Sequence, residues 1–159
     1  MKADEFVTIW HVDAPIESVW NEIYHSELWP TWWKGVESVV ESRKGDENGV
    51  GSVRRYTWKS KLPYRLTFNM EAVRVEPPVL LEGIATGELD GRGLWQLSEE
   101  GSGTVARYDW RVQTTKRWMN LLAPISRPAF NWNHDVVMRW GANGLANRLG
   151  ARVTERRRY

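Results

Sequence analysis

The chain has 159 residues, of which 42% are hydrophobic, and a formal net charge of +2 that arises from 22 basic and 20 acidic side chains. This length suits one domain with a substantial core, so residues 1–159 are interpreted as a single unit. The balanced, well-mixed charges argue against a nucleic-acid partner. The sequence has no cysteine and no apolar run approaching the ~20 residues of a spanning helix, which predicts a cytoplasmic protein without a transmembrane segment.

The first elements in chain order are a strand and two short helices. Residues 5–12 are β-branched and aromatic, which predicts a first strand. Asp13-Ala14-Pro15 then precedes an amphipathic helix, whose apolar residues at i, i+3, i+4 and i+7 are Ile16, Val19, Trp20 and Ile23. A second short helix is predicted between Pro30 and Gly35, and it would carry Trp32 and Trp33.

Six further strands are predicted between residues 36 and 115. Gly, Pro and Asp/Asn clusters separate segments of strand-like composition, as in an antiparallel meander. The predicted strands cover 36–44, 50–62, 64–76, 79–88, 92–99 and 104–115, with one of the turns at Asp90-Gly91. Glycines 83, 87, 91 and 93 in or beside the fifth and sixth strands predict the strong bending that a sheet needs to wrap a helix.

The remainder of the chain, about residues 118–149, is predicted to be helical. Pro124 and Pro128 predict a short opening piece, a break and then a long helix that runs to Leu149. One continuous stripe of this helix should face the sheet, and it consists of Phe130, His134, Val137, Met138, Gly141, Leu145 and Leu149. The basic tail, about residues 150–159, is interpreted as a solvated end.

Three stretches resemble START-like (SRPBCC) polyketide cyclase/dehydrase domains, and together they cover essentially the whole chain. The first contains Asp13-Ala14-Pro15, Glu17-x-Val19-Trp20 and Trp29-Pro30-x-Trp32-Trp33. The second contains Gly87-x-x-x-Gly91-x-Gly93-x-Trp95-x-Leu97 and Thr104-x-Ala106-x-Tyr108-x-Trp110-x-Val112, and the third runs from Arg127-Pro128-x-Phe130 to Leu145. The resemblance implies an α+β helix-grip fold (Bet v 1/START-like). Such a fold has a curved seven-stranded antiparallel sheet around a long C-terminal helix, two short helices after strand 1, and an internal cavity.

Period-2 alternation indicates which strand residues would line this cavity. Ala106, Tyr108, Trp110 and Val112 alternate with charged and polar residues and are expected to face inward. The complete set of predicted ligand-binding residues is Tyr56, Trp58, Phe68, Met70, Trp95, Tyr108, Trp110, Phe130, His134, Val137 and Met138.

Each polar or aromatic candidate also has a purely structural interpretation. His134 is either a ligand contact or a buried imidazole bonded to a backbone carbonyl. Arg54 shares a strand face with Tyr56 and Trp58, so it either meets an anionic group or forms an edge salt bridge. The eleven tryptophans either fill the core or line a cavity.

Several chemistries find no support in the sequence. The three histidines, at 11, 25 and 134, show no metal-ligand spacing, and no metal or cofactor is predicted. The sequence contains no Gly-x-Ser-x-Gly elbow, no dinucleotide fingerprint and no identifiable carboxylate pair, so no catalytic residue is predicted. The oligomeric state is left open.

Three functions therefore stand side by side. The leading hypothesis is a module that binds a hydrophobic or aromatic small molecule such as a lipid, isoprenoid or polyketide. The first alternative is a polyketide cyclase/dehydratase-type enzyme in which a Tyr, His or Arg of the cavity transfers protons. The second alternative is a protein or membrane interaction module whose apolar surface includes Trp29, Trp32 and Trp33.

Overall fold

The structure is a computed structural model that describes residues 3–158, except for the side chains of Trp118, Met119, Ala123, Ser126 and Arg158. Strand β1 (Asp4–Val12) leads into helix α1 (Ile16–Tyr24) and a short 3₁₀ helix (Ser26–Thr31). The strands that follow are β2 (Val36–Arg43), β3 (Val53–Lys59), β4 (Arg65–Glu76), β5 (Leu80–Gly87), β6 (Leu89–Glu100) and β7 (Gly103–Thr114). Helix α2 (Arg117–Leu121), helix α3 (Ala123–Leu149) and strand β8 (Val153–Arg158) complete the chain.

The strands form one antiparallel sheet in the order β2-β3-β4-β5-β6-β7-β1-β8. Each strand from β2 to β7 pairs with its neighbour in sequence, which is the predicted meander. Strand β1 returns to pair with β7, so that Trp10 lies opposite Ala106. The long C-terminal helix contributes Met138, Ala142 and Leu145 to the same buried cluster as the sheet. The predicted α+β helix-grip architecture is thereby confirmed.

The predicted strand count of seven is wrong, because the basic tail forms an eighth strand. Val153 lies opposite Val12 and Arg157 lies opposite Thr8 in antiparallel register with β1. The tail alternates half-buried and exposed residues from Val153 to Arg157, a period-2 pattern that its high charge hid from the sequence interpretation. Without β8, the backbone of β1 would be an unpaired sheet edge.

Three predicted boundaries also differ from the structure. The second short helix is a 3₁₀ segment that ends at Thr31, so Pro30 lies inside it rather than at its start. Asp90 and Gly91 are paired within β6, and the chain turns instead at Gly87, whose φ of 110° favours glycine. The helical break falls before α3, and Pro128 lies inside that helix, where it removes one backbone bond without ending the helix.

The core is organised around Trp33, whose side chain is only 2% exposed. Its ring centroid lies 5.5 Å from that of Trp10 and 4.8 Å from that of Trp29, and its Nε1 donates a hydrogen bond to the carbonyl of Val137 at 2.9 Å. Helix α3 approaches closely because Gly141 has no side chain, and a Cβ there would lie 2.5 Å from the Trp33 ring. Within residues 3–158, no helix is long and apolar enough to span a membrane.

Candidate functional site

Two adjoining cavities lie between the inner face of the sheet and the helices. The first, of about 90 Å³, lies between the end of α1, the 3₁₀ helix and strands β3 to β7. The second, of about 100 Å³, lies between α3 and strands β3, β4, β6 and β7. Five aromatic side chains contact both cavities, and we call them the aromatic partition: Trp29, Trp58, Phe68, Trp95 and Tyr108.

All eleven predicted ligand-binding residues lie on these cavities, although their role in binding stays a prediction. Tyr56 and Met70 line the first cavity. The second is lined by Trp110 on β7 and by the α3 residues Phe130, His134, Val137 and Met138. The remaining four, Trp58, Phe68, Trp95 and Tyr108, belong to the aromatic partition. The period-2 pattern of the strands and the helical pattern of α3 thus identified faces that line the same pair of cavities.

The list of predicted ligand-binding residues omitted several residues of the second cavity, although alternation along the fourth predicted strand assigns Tyr64 to the inner face. Leu62 and Tyr64, in the connection between β3 and β4 and just before β4, lie on it opposite α3. Asn133 also lines it, beside His134, although the helical stripe did not include this position. Leu62 follows Tyr56 and Trp58 in period-2 alternation within the strand predicted over 50–62, so the signal was present although the structure ends β3 at Lys59.

The first cavity has one polar end. Arg54 donates hydrogen bonds to the carbonyl of Tyr24 at 2.8 Å and to Ser26 Oγ at 2.7 Å. The hydroxyl of Ser26 in turn lies 2.7 Å from that of Tyr56. The Arg54 guanidinium also forms ion pairs with Glu27 at 3.1 Å and Glu41 at 3.5 Å. The predicted edge salt bridge is therefore present, and Arg54 holds Ser26 and Tyr56 in place.

The second cavity carries polar atoms that have no hydrogen-bond partner among the described residues. Trp58 Nε1, Asn133 Oδ1 and His134 Nε2 are all buried and unpaired. Buried polar atoms are almost always paired in folded proteins, and an unpaired one costs about 1–3 kcal/mol. These three are among nine such side-chain atoms in the described part of the chain, and the residues that carry these three all line the second cavity.

The titratable groups of the second cavity are held neutral. Burial, with a smaller contribution from the charge of Arg157, lowers the pKa of His134 to about 3. Burial, with a smaller contribution from Tyr56, raises the pKa of Tyr108. The neutral imidazole and the neutral phenol can therefore donate hydrogen bonds to a ligand and accept them from it.

Glycine at position 93 makes room for the Tyr108 hydroxyl. A Cβ on Gly93 would lie 2.6 Å from Tyr108 Oη and 3.1 Å from the Trp110 ring. The ring of Tyr108 stacks on that of Trp95 with centroids 4.3 Å apart, which orients the phenol across the cavities in this structure. Gly93 was predicted to bend the sheet, and the structure gives a second reason for glycine at this position, because any larger residue would clash with Tyr108.

The apolar surface of Trp29, Trp32 and Trp33 on which the second alternative function depends is not exposed in the structure. Trp29 is 8% exposed and Trp33 is 2% exposed, and both belong to the core. Trp32 is half-buried and packs against the same core. The Trp33 ring contacts those of Trp29 and Trp32, and it also contacts the Trp58 ring of β3. Among the described residues, no group of three or more His, Cys, Asp or Glu side chains is arranged to hold a metal ion.

Comparison with solved structures places this arrangement in a known class of fold. A START superfamily protein from Mycobacterium smegmatis has a TM-score of 0.73 and 12% identity, with 91% of this chain and 97% of that chain covered. A protein from Thermus thermophilus has a TM-score of 0.73 and 18% identity, with 91% and 96% covered. The di-domain ARO/CYC StfQ from the steffimycin biosynthetic pathway has a TM-score of 0.68 and 14% identity, with 94% of this chain but only 52% of that chain covered.

These similarities define the class as an open antiparallel sheet that holds a long C-terminal helix. The fold is START-like, of the kind found in polyketide cyclases, which confirms the resemblance at the level of the fold. No family model matches the sequence, and no curated protein matches it significantly. The activity must therefore be argued from the site itself.

Proposed function

We propose that this protein binds a largely hydrophobic, ring-containing small molecule in the joined space of the two cavities. The observation that carries the proposal is an apolar space lined by aromatic side chains that also presents three buried, unpaired polar atoms. Ligand sites of proteins share this composition, in which apolar walls supply affinity and a few polar groups fix orientation. The START-like fold of the chain supports the same function.

The polar atoms narrow the ligand class within the predicted lipids, isoprenoids and polyketides. A pure hydrocarbon would leave Trp58 Nε1 and His134 Nε2 unpaired, whereas a hydroxyl group, which both donates and accepts, can pair with either atom. The Trp58 indole can only donate, so its partner must be a hydrogen-bond acceptor such as an oxygen. We therefore favour an oxygen-bearing aromatic or isoprenoid compound over an unsubstituted chain.

Binding is expected to move the aromatic partition. Each cavity is about 90–100 Å³, whereas an engineered cavity of about 150 Å³ in another protein holds benzene. A ligand with more than one ring therefore needs both spaces, and rotation of partition side chains such as Tyr108 would join them. The two separate cavities are the closed state in this proposal.

Native mass spectrometry of the purified protein, followed by denaturing extraction, tests the proposal. A stoichiometric small molecule released on denaturation is the expected result, and its composition names the ligand class. A protein that carries nothing and gains no thermal stability from lipids, quinones or aromatic polyketides would show that the rings simply fill a core.

Leu62→Trp provides a matched test of the location. Leu62 lies on the second cavity in a connection between strands, so the indole ring of tryptophan at this position should block ligand uptake without disturbing the core. Leu28→Trp is the control, since Leu28 is 43% exposed on the 3₁₀ helix and lines neither cavity. Ligand occupancy should fall in Leu62→Trp alone; equal occupancy in both variants would place the ligand elsewhere.

A cyclase or dehydratase is the second candidate function, and one observation favours it. The imidazole of His134 and the phenol of Tyr108, two side-chain types that serve as general acids and bases, line the same cavity. A polyketide cyclase of the same fold is consistent with this chemistry. In an enzyme, His134→Gln and Tyr108→Phe would abolish turnover of a bound reactive chain while retaining binding; a carrier would show no turnover in any variant. The cytoplasmic location stays a prediction in both cases.

A further inference from the structure

The start of the C-terminal helical region exposes an unusual group of apolar side chains. Leu121 is 85% exposed, Leu122 is 48%, Ile125 is 77% and Trp132 is 50%. We call these four residues the apolar ridge. Leu122 and Ile125 are joined by a backbone hydrogen bond of 2.9 Å, and Trp132 follows Ile125 by seven residues, which places both on one face of α3. Grouped exposed apolar side chains usually mark an interaction site, whereas isolated ones are ordinary.

The apolar ridge borders the second cavity. The Lys61 ammonium lies 5.8 Å from the centroid of the Trp132 ring, so the connection between β3 and β4 reaches the ridge. The neighbouring residues Leu62 and Asn133 line the cavity from these same two segments. A partner that covers the ridge would therefore lie beside the route into the ligand space.

The surroundings of the ridge are basic. Residues 110–134 contain no Asp or Glu, and they contain Arg111, Lys116, Arg117 and Arg127. Arg111 pairs with Glu5 at 3.3 Å, Lys116 pairs with Glu88 at 3.3 Å and Arg127 pairs with Asp4 at 3.2 Å. Lys61 and Arg117 are exposed, and neither forms an ion pair with a carboxylate among residues 3–158. This surface therefore combines apolar side chains with uncompensated positive charge.

We propose that the apolar ridge and its basic surroundings dock on an anionic lipid bilayer. Apolar side chains that enter the headgroup region and basic side chains that meet lipid phosphates are the two contributions that hold peripheral proteins on membranes. A second copy of this chain is disfavoured as the occupant, because it would bring the same positive charges to the interface. Docking would place the second cavity next to the source of a hydrophobic ligand, but it does not require that a ligand be bound.

Co-sedimentation of the protein with vesicles tests the proposal. Vesicles of phosphatidylcholine and phosphatidylglycerol in equal parts should bind the protein, and binding should weaken as salt rises from ~0.1 M to ~1 M. Vesicles of phosphatidylcholine alone should bind it far more weakly. Absence of binding to the mixed vesicles would overturn the proposal.

Matched variants assign the binding to the ridge. Leu121→Ser and Ile125→Ser should each reduce vesicle binding about tenfold, and Arg117→Gln should reduce it about fivefold. The controls are Val40→Ser, at a position 59% exposed on β2, and Lys44→Gln, at an exposed position just after β2. Equal losses in ridge and control variants, or none in either, would overturn the proposal.

Two further measurements keep the outcomes distinct. Sedimentation equilibrium of the wild type and of Ile125→Ser tests the second copy as the occupant, and a dimer lost in Ile125→Ser without vesicle binding would overturn membrane docking. Ligand occupancy of the same variants, measured by native mass spectrometry, should be unchanged. If the wild type binds no ligand, the proposed function fails, but the vesicle measurements still test membrane docking independently.

Discussion

At the scale of single residues, His134 shows how burial determines chemistry. Its ring stacks on Phe6 with centroids 4.1 Å apart, and its Nε2 faces no partner among the described residues. A charged imidazole in this place would lose its hydration and lie near the positive Arg157, so the neutral form is strongly favoured. The residue is therefore suited to hydrogen bonding with a neutral ligand, and its protonation should be coupled to unfolding.

This coupling predicts a pH dependence of stability. The pKa of His134 is lowered from 6.5 to about 3 in the folded protein, so between these values the unfolded chain binds the additional proton. The contribution of His134 is complete above pH 6.5 and is lost as the pH falls, with a slope of up to about 1.4 kcal/mol per pH unit. The free energy of unfolding of His134→Gln, measured in urea from neutral to acidic pH, should decline less steeply than that of the wild type.

The exposed His25 provides the control for this experiment. His25→Gln should keep the steep decline of the wild type, because its side chain is exposed and lines neither cavity. Parallel curves for the wild type and His134→Gln would show that the imidazole is accessible to protons in the folded state.

Gly93 allows a second prediction about a single residue. Gly93→Ala places a Cβ 2.6 Å from Tyr108 Oη, so the phenol must move, and we expect a loss of about 1–3 kcal/mol in the free energy of unfolding. Chemical denaturation measures this loss. Combining Gly93→Ala with Tyr108→Phe removes the hydroxyl from the contact and should restore part of the stability, whereas strictly additive losses would contradict the steric explanation.

At the scale of elements, β8 is the part of the fold whose role was least apparent. It covers the edge of β1 and carries Arg157, which donates a hydrogen bond to the carbonyl of Asp135 at 3.1 Å. Arg157 also forms ion pairs with the carboxylates of Asp135 and Glu155. The tail thereby joins the first strand to the middle of α3, next to His134.

Loss of this connection should destabilise the protein. Arg157 is 20% exposed, so Arg157→Gln leaves poorly hydrated carboxylates behind, and we expect a decrease of about 1–2 kcal/mol in the free energy of unfolding. Arg156→Gln, on the exposed face of the same strand, should change it by less than about 0.5 kcal/mol. Similar losses in both variants, in urea denaturation at neutral pH, would mean that Arg157 contributes nothing beyond its strand.

At the scale of the whole molecule, binding of the proposed ligand should add substantially to the free energy of unfolding. A molecule that binds only the folded state stabilises it by about 2.7 kcal/mol at a concentration one hundred times its Kd. The melting temperature of delipidated protein should therefore rise with the concentration of the extracted compound. Leu62→Trp should abolish the rise, and a rise of the same size in that variant would place the compound outside the second cavity.

Most of the architecture follows from patterns that are local in the sequence. Alternation assigned Tyr108 and Trp110 to the inner face, and helical spacing assigned His134 and Met138 to the side of α3 that meets the sheet. These patterns succeed because every second strand residue and every third or fourth helix residue must share an environment. The turn positions were harder to predict, because Gly87 and Gly91 are both suited to a turn. Only the pairing of β6 with β7, which includes Gly91, shows that the chain turns at Gly87.

The sequence by itself determined the strand meander and most of the residues that line the interior, because these depend on periodic burial along each element, and its resemblance to START-like domains implied the class of fold. Only the tertiary structure decided the pairing of β8 with β1, the division of the interior by the aromatic partition, and the unpaired state of Trp58 Nε1 and His134 Nε2. It also decided that Trp29 and Trp33 are buried while Leu121 and Ile125 are exposed. Each of these features depends on contacts between residues far apart in the chain, and no local pattern encodes them.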